Sequence, residues 1–286
     1  MPRKLKIMKE PICESSEYKN VVDKIDALIA RVKRFQKPEL KVELDIRENA
    51  SPNFDLKNDE FLRLIATLIT YSQQVPAKSV GKLIDSGFID KVFHGFSVEE
   101  VAKLNGSEVR EKFWIKKSNN PTVKNTLTAI RYPQKIDSII SCAEVLQKIQ
   151  AKEGLTFARY IQGQDIPRRI SNEKELDLFW EKFVVVQNRL NDWGMPFLNR
   201  LTTLCHLLKD MGYDCAKPDS AVMNAAVKLD IIKRKKTWTD NDRKKVIRIM
   251  QIYGICRGVR PPVLDLYFLI HGEQTGAIDL VQAGYF

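Results

Sequence analysis

The sequence predicts an all-α fold, and three stretches carry that prediction. In the first, Leu176, Phe179, Trp180, Phe183 and Leu190 recur on one helical face. After a break rich in turn residues, Asn191 to Pro196, a second stripe follows through Phe197, Leu201, Leu204, Leu208 and Met211. The third is the apolar run from Phe61 to Val75. Together these read as amphipathic helices packed on a common core.

Taken in order, Tyr18 to Phe35 forms one helix with Val21, Val22, Ile25, Leu28, Ile29 and Val32 inward. Two prolines and many charges make Gln36 to Lys57 a long connection. A helix then runs from Asn58 to Val75, with Asp59 as its cap. Short helices are expected over Ser79–Ile84, Ser97–Leu104 and Gly106–Phe113, the second opened by Ser97 with acidic residues in its first turn. A long helix reaches about Ile149. Glycines, Pro167, Arg168 and Arg169 break the pattern over 151–173, leaving at most one turn near Thr156 to Ile161; the segment, with aromatics Phe157 and Tyr160, is either a pocket lining or surface padding.

The helix from Leu176 meets the break, and Pro196 suits the first position of the next helix, which closes at Gly212 as its C′ glycine. Another helix starts near Asp219. The cationic run Lys233-Arg234-Lys235-Lys236 precedes a helix capped within Trp238–Asp242 and running from Arg243 to Tyr253. A last helix covers Pro262 to Ile270.

At 286 residues and 44% hydrophobic content, the chain is long enough for one large or two small cores. No apolar run approaches a membrane span and the first residues lack a signal-peptide core, so an intracellular protein is expected, cytoplasmic if bacterial and nuclear if eukaryotic. The five cysteines, Cys13, Cys142, Cys205, Cys215 and Cys256, have no metal-ligand spacing. Neither a disulfide framework nor a zinc or iron–sulfur site is expected, and Cys142 and Cys205 read as small core residues. With 47 Lys and Arg against 36 Asp and Glu, the net charge is +11, which suits a polyanionic partner.

Two motifs give this order of helices a more specific meaning. Ser72-Gln73-Gln74 ends the apolar helix, and Leu190-Asn191-Asp192-Trp193-Gly194 is followed by a helix and then by Pro218-Asp219-Ser220-Ala221-Val222. This resembles the helix-hairpin-helix DNA glycosylases that lack an iron–sulfur cluster, over about Asn58 to Leu229. Asp192 departs from the family's first hairpin glycine, and Val75 stands where threonine is usual.

The resemblance implies two helical domains with the active-site cleft between them. Residues 58–212 would form a helical barrel domain with the hairpin, and residues 1–57 and 213–286 a second domain. It implies double-stranded DNA as partner and a monomer away from membranes. Asp219 would be the catalytic carboxylate, and Gln73 the wedge filling the gap left by an everted nucleotide. The DNA-binding hairpin falls on Trp193, Gly194, Met195 and Pro196, using backbone amides near Gly194. No cofactor is required and no metal site is expected, apart from a monovalent cation at the hairpin as in the family.

The chemistry needs one carboxylate. Breaking an N-glycosidic bond builds positive charge on the sugar, which an ionised aspartate beside the anomeric carbon stabilises. At an effective dielectric of about 20, a charge pair at roughly 4 Å is worth roughly 4 kcal/mol. Bifunctional relatives place a lysine at the start of the hairpin's second helix. Here Pro196 to Arg200 supply no usable amine, so a monofunctional enzyme without a lyase step is expected.

The substrate class is a damaged or modified base, alkylated purines among the candidates, held by aromatics such as Tyr71, Trp114 and Trp180. The type-one methyladenine branch is set aside, because Tyr71 stands where that branch has a base-reading glutamate and its terminal Cys/His zinc ligands are missing. A non-catalytic, all-helical DNA-binding protein is the alternative. It assigns Asp219 to helix capping alone.

Overall fold

The structure, a computed structural model, describes residues 12–71, 77–115, 126–127, 134–274 and 276–286. It is predominantly helical, as expected of an all-α chain. The one sheet among the described residues is a two-residue antiparallel pair, Trp114–Ile115 with Thr126–Leu127. By their contacts the residues group into two compact units, one formed by 1–50, 167–179 and 212–286, the other by 51–166 and 180–211.

The chain opens with α1, Ser16–Phe35, whose Val22, Ile25, Leu28 and Val32 are buried at the predicted helical spacing. The expected long connection is instead interrupted by α2, Pro38–Glu48. Its signals are a proline at the first helical position, Glu39 in the first turn and Arg47 in the last. Only Leu40 of this helix is buried, which is why no apolar stripe announced it.

The second unit begins with α3, Asn58–Tyr71. Asp59, expected as its cap, accepts instead from the Val98 amide at 2.9 Å. Asn58 is buried and ties two later segments to this helix. Its amide donates to Gln150 at 2.7 Å, and its oxygen accepts from the Phe157 amide at 2.8 Å. Next come α4 (Ala77–Asp85), α5 (Phe88–Val92), α6 (Val98–Val101, capped by Ser97) and α7 (Gly106–Lys112, capped by Asn105).

The long α8, Gln134–Glu153, is the spine of this unit, packed by α3 and α6, with Cys142 fully buried on it. Helix α9, Phe157–Gln162, is the predicted single turn, capped by Thr156. Helix α10, Glu173–Asp192, has its first seven residues in one unit and the rest in the other. Helix α11, Leu201–Asp210, packs on α3 and ends at Gly212 in the left-handed region, φ 77°.

The first unit resumes with α12 (Ser220–Lys228), α13 (Asp240–Arg257) and α14 (Pro261–His271). All of Pro261 to Ile270 is buried, so α14 is the centre around which α1, α2, α12 and α13 pack. Helix α12 comes so close to its C-terminal end that a Cβ on Gly272 would lie 1.9 Å from the Ala221 carbonyl oxygen.

Burying α14 whole also buries Asp265, which is neutralised by Arg47 at 2.8 Å and accepts from the Lys217 amide at 3.0 Å. No disulfide framework was expected, yet a disulfide joins Cys13 to Cys256, 243 residues apart. Linear spacing tells of locally paired ligands but says nothing about two thiols that the fold brings together.

A second buried cation organises the unit. The Arg260 guanidinium is 6% exposed and donates to Asp214 at 2.9 Å, to the carbonyls of Arg47, Glu48 and Ala50, and to that of Gly212 at 2.8 Å. Asp214 also accepts from the Ile170 amide at 3.0 Å. Replacing Arg260 by Met should destabilise the protein by about 3–5 kcal/mol, because Asp214 and several carbonyls lose their donor inside the core. Urea unfolding followed by circular dichroism measures this, and a loss below about 1 kcal/mol would remove Arg260 as the organising contact.

His271, which ends α14, has Nδ1 3.3 Å from the Tyr285 hydroxyl. Burial, with Lys228 and Arg31 nearby, brings its imidazole down from the ordinary 6.5 to about 4. The folded protein therefore holds it neutral where the unfolded chain would protonate it. Its contribution to stability is present above pH 6.5 and is lost as pH falls from there towards about 4. Buried Asp214, raised to about 6, contributes with the opposite sign over much of that window, so the test is the difference between proteins: the urea midpoint of His271→Gln should gain on that of wild type as pH falls from 6.5 to about 4.

Candidate active site and hairpin

Asp219 is the best-defined of the predicted site residues. Proline at 218 stops the preceding segment, and Ala221, Val222, Ala225 and Ala226 bury one face of α12. The first amides of that helix need an acceptor, and Asp219 at the N-cap provides it. Its Oδ1 accepts from the amides of Ala221 at 3.0 Å and Val222 at 3.1 Å. Its Oδ2 faces the Lys217 ammonium at 3.7 Å.

The side chain is 22% exposed. Burial pushes its carboxyl above the ordinary 3.8. Lys217 and the two amides pull it back, while buried Asp265 pushes it up again. The segment carrying the pair is fixed from below, since the Lys217 amide donates to Asp265, which Arg47 holds.

The predicted hairpin is a helix, a turn and a helix, but the turn is longer than expected. Trp193, Gly194 and Met195 donate their amides to Arg189, Asn191 and Leu190, which closes α10. Gly194 is left-handed at φ 70°, the position that favours glycine. The second helix was expected from Pro196 and begins instead at Leu201, with Arg200 at its N-cap. Phe197 at φ 65° cannot continue a right-handed helix, and the Thr203 hydroxyl bonds back to the carbonyls of Phe197 and Arg200.

Three further contacts hold this turn. Gln187 donates to the Asn199 carbonyl at 2.9 Å, Asn199 donates to Asn191 at 2.8 Å, and the Lys135 ammonium lies 4.5 Å from the Phe197 ring centre. Since the Gly194 and Met195 amides are bonded within the protein, an anion at this turn meets other groups. These are Arg200, which is exposed, and the opening amides of α11, which no Arg200 side-chain bond caps.

Trp193 joins a cleft of about 650 Å³ together with Tyr160, Gln164, Arg189, Lys152, Glu153 and Asp192. Its indole N–H donates to the Tyr160 hydroxyl at 3.0 Å, and the Lys152 ammonium lies 5.1 Å from its ring centre. Of the two aromatics of the 151–173 segment, Tyr160 lines this cleft, whereas Phe157 is core, edge-on to Phe61.

Trp180 is 3% exposed and packs against Phe183, with ring centres 5.2 Å apart. Gln73, with Ser72, Gln74 and Val75, lies outside the described residues, as do the side chains of Tyr71 and Trp114. Among the described residues no cluster of three or more His, Cys, Asp or Glu is arranged to hold a metal ion. Nor is any helix among them long and apolar enough to cross a membrane. Comparison with protein-family models, curated proteins and solved structures finds no match.

Lys217 and Asp265 were not singled out from the sequence. The spacing Lys217-x-Asp219 was the available signal for the first. Asp265, an acidic residue inside an otherwise apolar run, was the signal for the second.

The cap and the charge of Asp219 can be separated. Asn caps as well as Asp, and Ala does not. Asp219→Ala should lower stability by about 1 kcal/mol, and Asp219→Asn by a few tenths at most. Equal losses in urea unfolding would show that the two amide bonds do not hold α12.

Proposed function

We propose that this chain is a DNA N-glycosylase of the helix-hairpin-helix type, hydrolysing the bond between a damaged or modified base and its deoxyribose after the nucleotide is everted. The supporting observation is the Asp219 carboxylate, largely withdrawn from water and locked in one orientation, with Oδ2 outside the capping bonds. The sugar's positive charge would develop against that oxygen. Lys217 and the two amides counter the effect of burial and favour the charged form that the reaction needs.

Helices α10 and α11 with the turn between them are the helix-hairpin-helix in this reading. Phosphate contact there falls to Arg200 and the first amides of α11. Gln73 remains the proposed wedge, Tyr71 and Trp114 remain proposed pocket residues, and a cation at the turn remains part of the proposal. Trp180, packed in the core, is a wall behind such a pocket at most. No lysine occupies the position of the bifunctional relatives' amine, so base release would proceed by hydrolysis alone. The protein would act as a monomer on double-stranded DNA.

A non-catalytic DNA-binding protein is the second reading, and one observation favours it. Capping alone accounts for where Asp219 lies.

Single-turnover base release separates the two, using duplexes that carry alkylated, oxidised, deaminated and otherwise modified bases. Asp219→Asn should reduce release by about 100-fold or more while duplex affinity is kept. The acid limb of the wild-type rate should lie above the ordinary carboxylate range, since burial raises the Asp219 carboxyl. Lys217→Met should move that limb further up, so the rate at mildly acid pH falls most. Duplex binding without release across the whole panel would establish the second reading.

A further inference from the structure

The cationic run at 233–236 has no part in the site described above, and its surroundings show more than a solvated loop. Both ends are fixed. Ile231 and Ile232 are buried on one side. On the other, Thr239 and Asp242 form a capping box at the start of α13, and Arg243 donates to the Trp238 carbonyl at 2.8 Å. Lys235 is drawn back onto Asp242 at 2.7 and 2.9 Å, which holds that carboxyl down at about 2.

The flanking carboxylates are all occupied. Asp230 pairs with Lys24 at 3.0 Å, Asp240 with Arg243 at 3.2 Å and Asp242 with Lys235. Lys233, Arg234 and Lys236 stay exposed between those two anchored ends, and none of the three has an ion pair among the described residues.

We propose that this loop is a contact surface for the phosphate backbone of duplex DNA, gripping it through Lys233, Arg234 and Lys236 without reading bases. Adjacent cations on one exposed loop suit a row of phosphate oxygens, a contact that serves affinity and register, and an equal effect on two unrelated sequences separates it from an arginine reading guanine. A membrane surface fits less well, because the apolar residues beside the loop, Ile231 and Ile232, point inward and leave nothing to insert. The proposal rests on the DNA-binding part of the function proposed above and is independent of catalysis.

The test is fluorescence anisotropy of unmodified duplexes of two unrelated sequences against NaCl concentration. It compares wild type, the triple variant Lys233→Gln, Arg234→Gln, Lys236→Gln, and a control of equal charge change on α1 and α2, Lys19→Gln, Lys33→Gln, Lys41→Gln. Each phosphate contact contributes about 0.9 to the slope of log affinity on log salt. The loop variant should therefore reduce the slope by about 2.7, equally on both sequences, with little change in the control.

An unchanged slope in the loop variant, or an equal fall in the control, would overturn the proposal and leave the function reading standing. Absence of duplex binding by wild type would overturn both. Sedimentation with anionic vesicles runs alongside, and loss of vesicle binding by the loop variant with duplex binding intact would assign the loop to lipid instead.

Discussion

The unit that carries Asp219 depends on where one guanidinium is buried. Arg260 stands just before α14, out of water, with five protein acceptors around it. A charge in that position is tolerable only if every donor is satisfied. The carbonyls at 47, 48, 50 and 212 and the carboxylate of Asp214 must therefore converge on one point. Asp214 in turn takes the Ile170 amide, and its own carbonyl accepts from buried Gln251 at 2.9 Å. Segments far apart in sequence are thus registered by a single side chain, where apolar contacts alone would tolerate sliding.

The same logic is repeated one turn along α14. Asp265 is 1% exposed and draws Arg47 and the Lys217 amide to itself. Arg47 serves both centres, giving its carbonyl to Arg260 and its guanidinium to Asp265. Between Asp214 and Lys217 the chain is consequently held at both ends over four residues, and Asp219 emerges from that clamp directly into the N-cap of α12. The aspartate's orientation is therefore set by α14 and α2 as much as by its own helix. Pre-organisation of this kind is what a charge-stabilising group requires.

Much of this was legible from residue patterns, and the exceptions have specific causes. The stripes on α1 and α10, the apolar run of α3 and the stripe from Phe197 through α11 are largely buried where the sequence placed them, because the apolar residues had nowhere else to go. Asp219 could be read as a cap because proline, aspartate and small helix formers follow one another. Helix α2 was missed because a helix with one buried residue has no stripe. The start of α11 was misplaced because Phe197 adopts a left-handed conformation that nothing in its side chain requests; Thr203 and the packing of the turn impose it. The Cys13–Cys256 bond and the Arg260 centre are long-range pairings, and local sequence holds no trace of either partner. An arginine before two prolines reads as a surface turn until the fold shows what surrounds it.

What distinguishes Asp219 from an ordinary cap is cost. The side-chain caps at Ser97, Asn105, Thr156 and Thr239 are neutral, whereas this one is ionisable. A serine or threonine at 219 would accept from α12 without a charge to desolvate and without repulsion from Asp265. Two amides need one acceptor oxygen, and the carboxylate has a second. That second oxygen is set 3.7 Å from an ammonium, longer than a hydrogen bond, so the lysine supports the charge without occupying it by a direct bond. Capping accounts for Oδ1, and the ion pair with Lys217 for Oδ2. Oδ2 is matched by Lys217 alone, and on the proposed function it is this fixed negative charge in a poorly solvated setting that a cationic transition state would use.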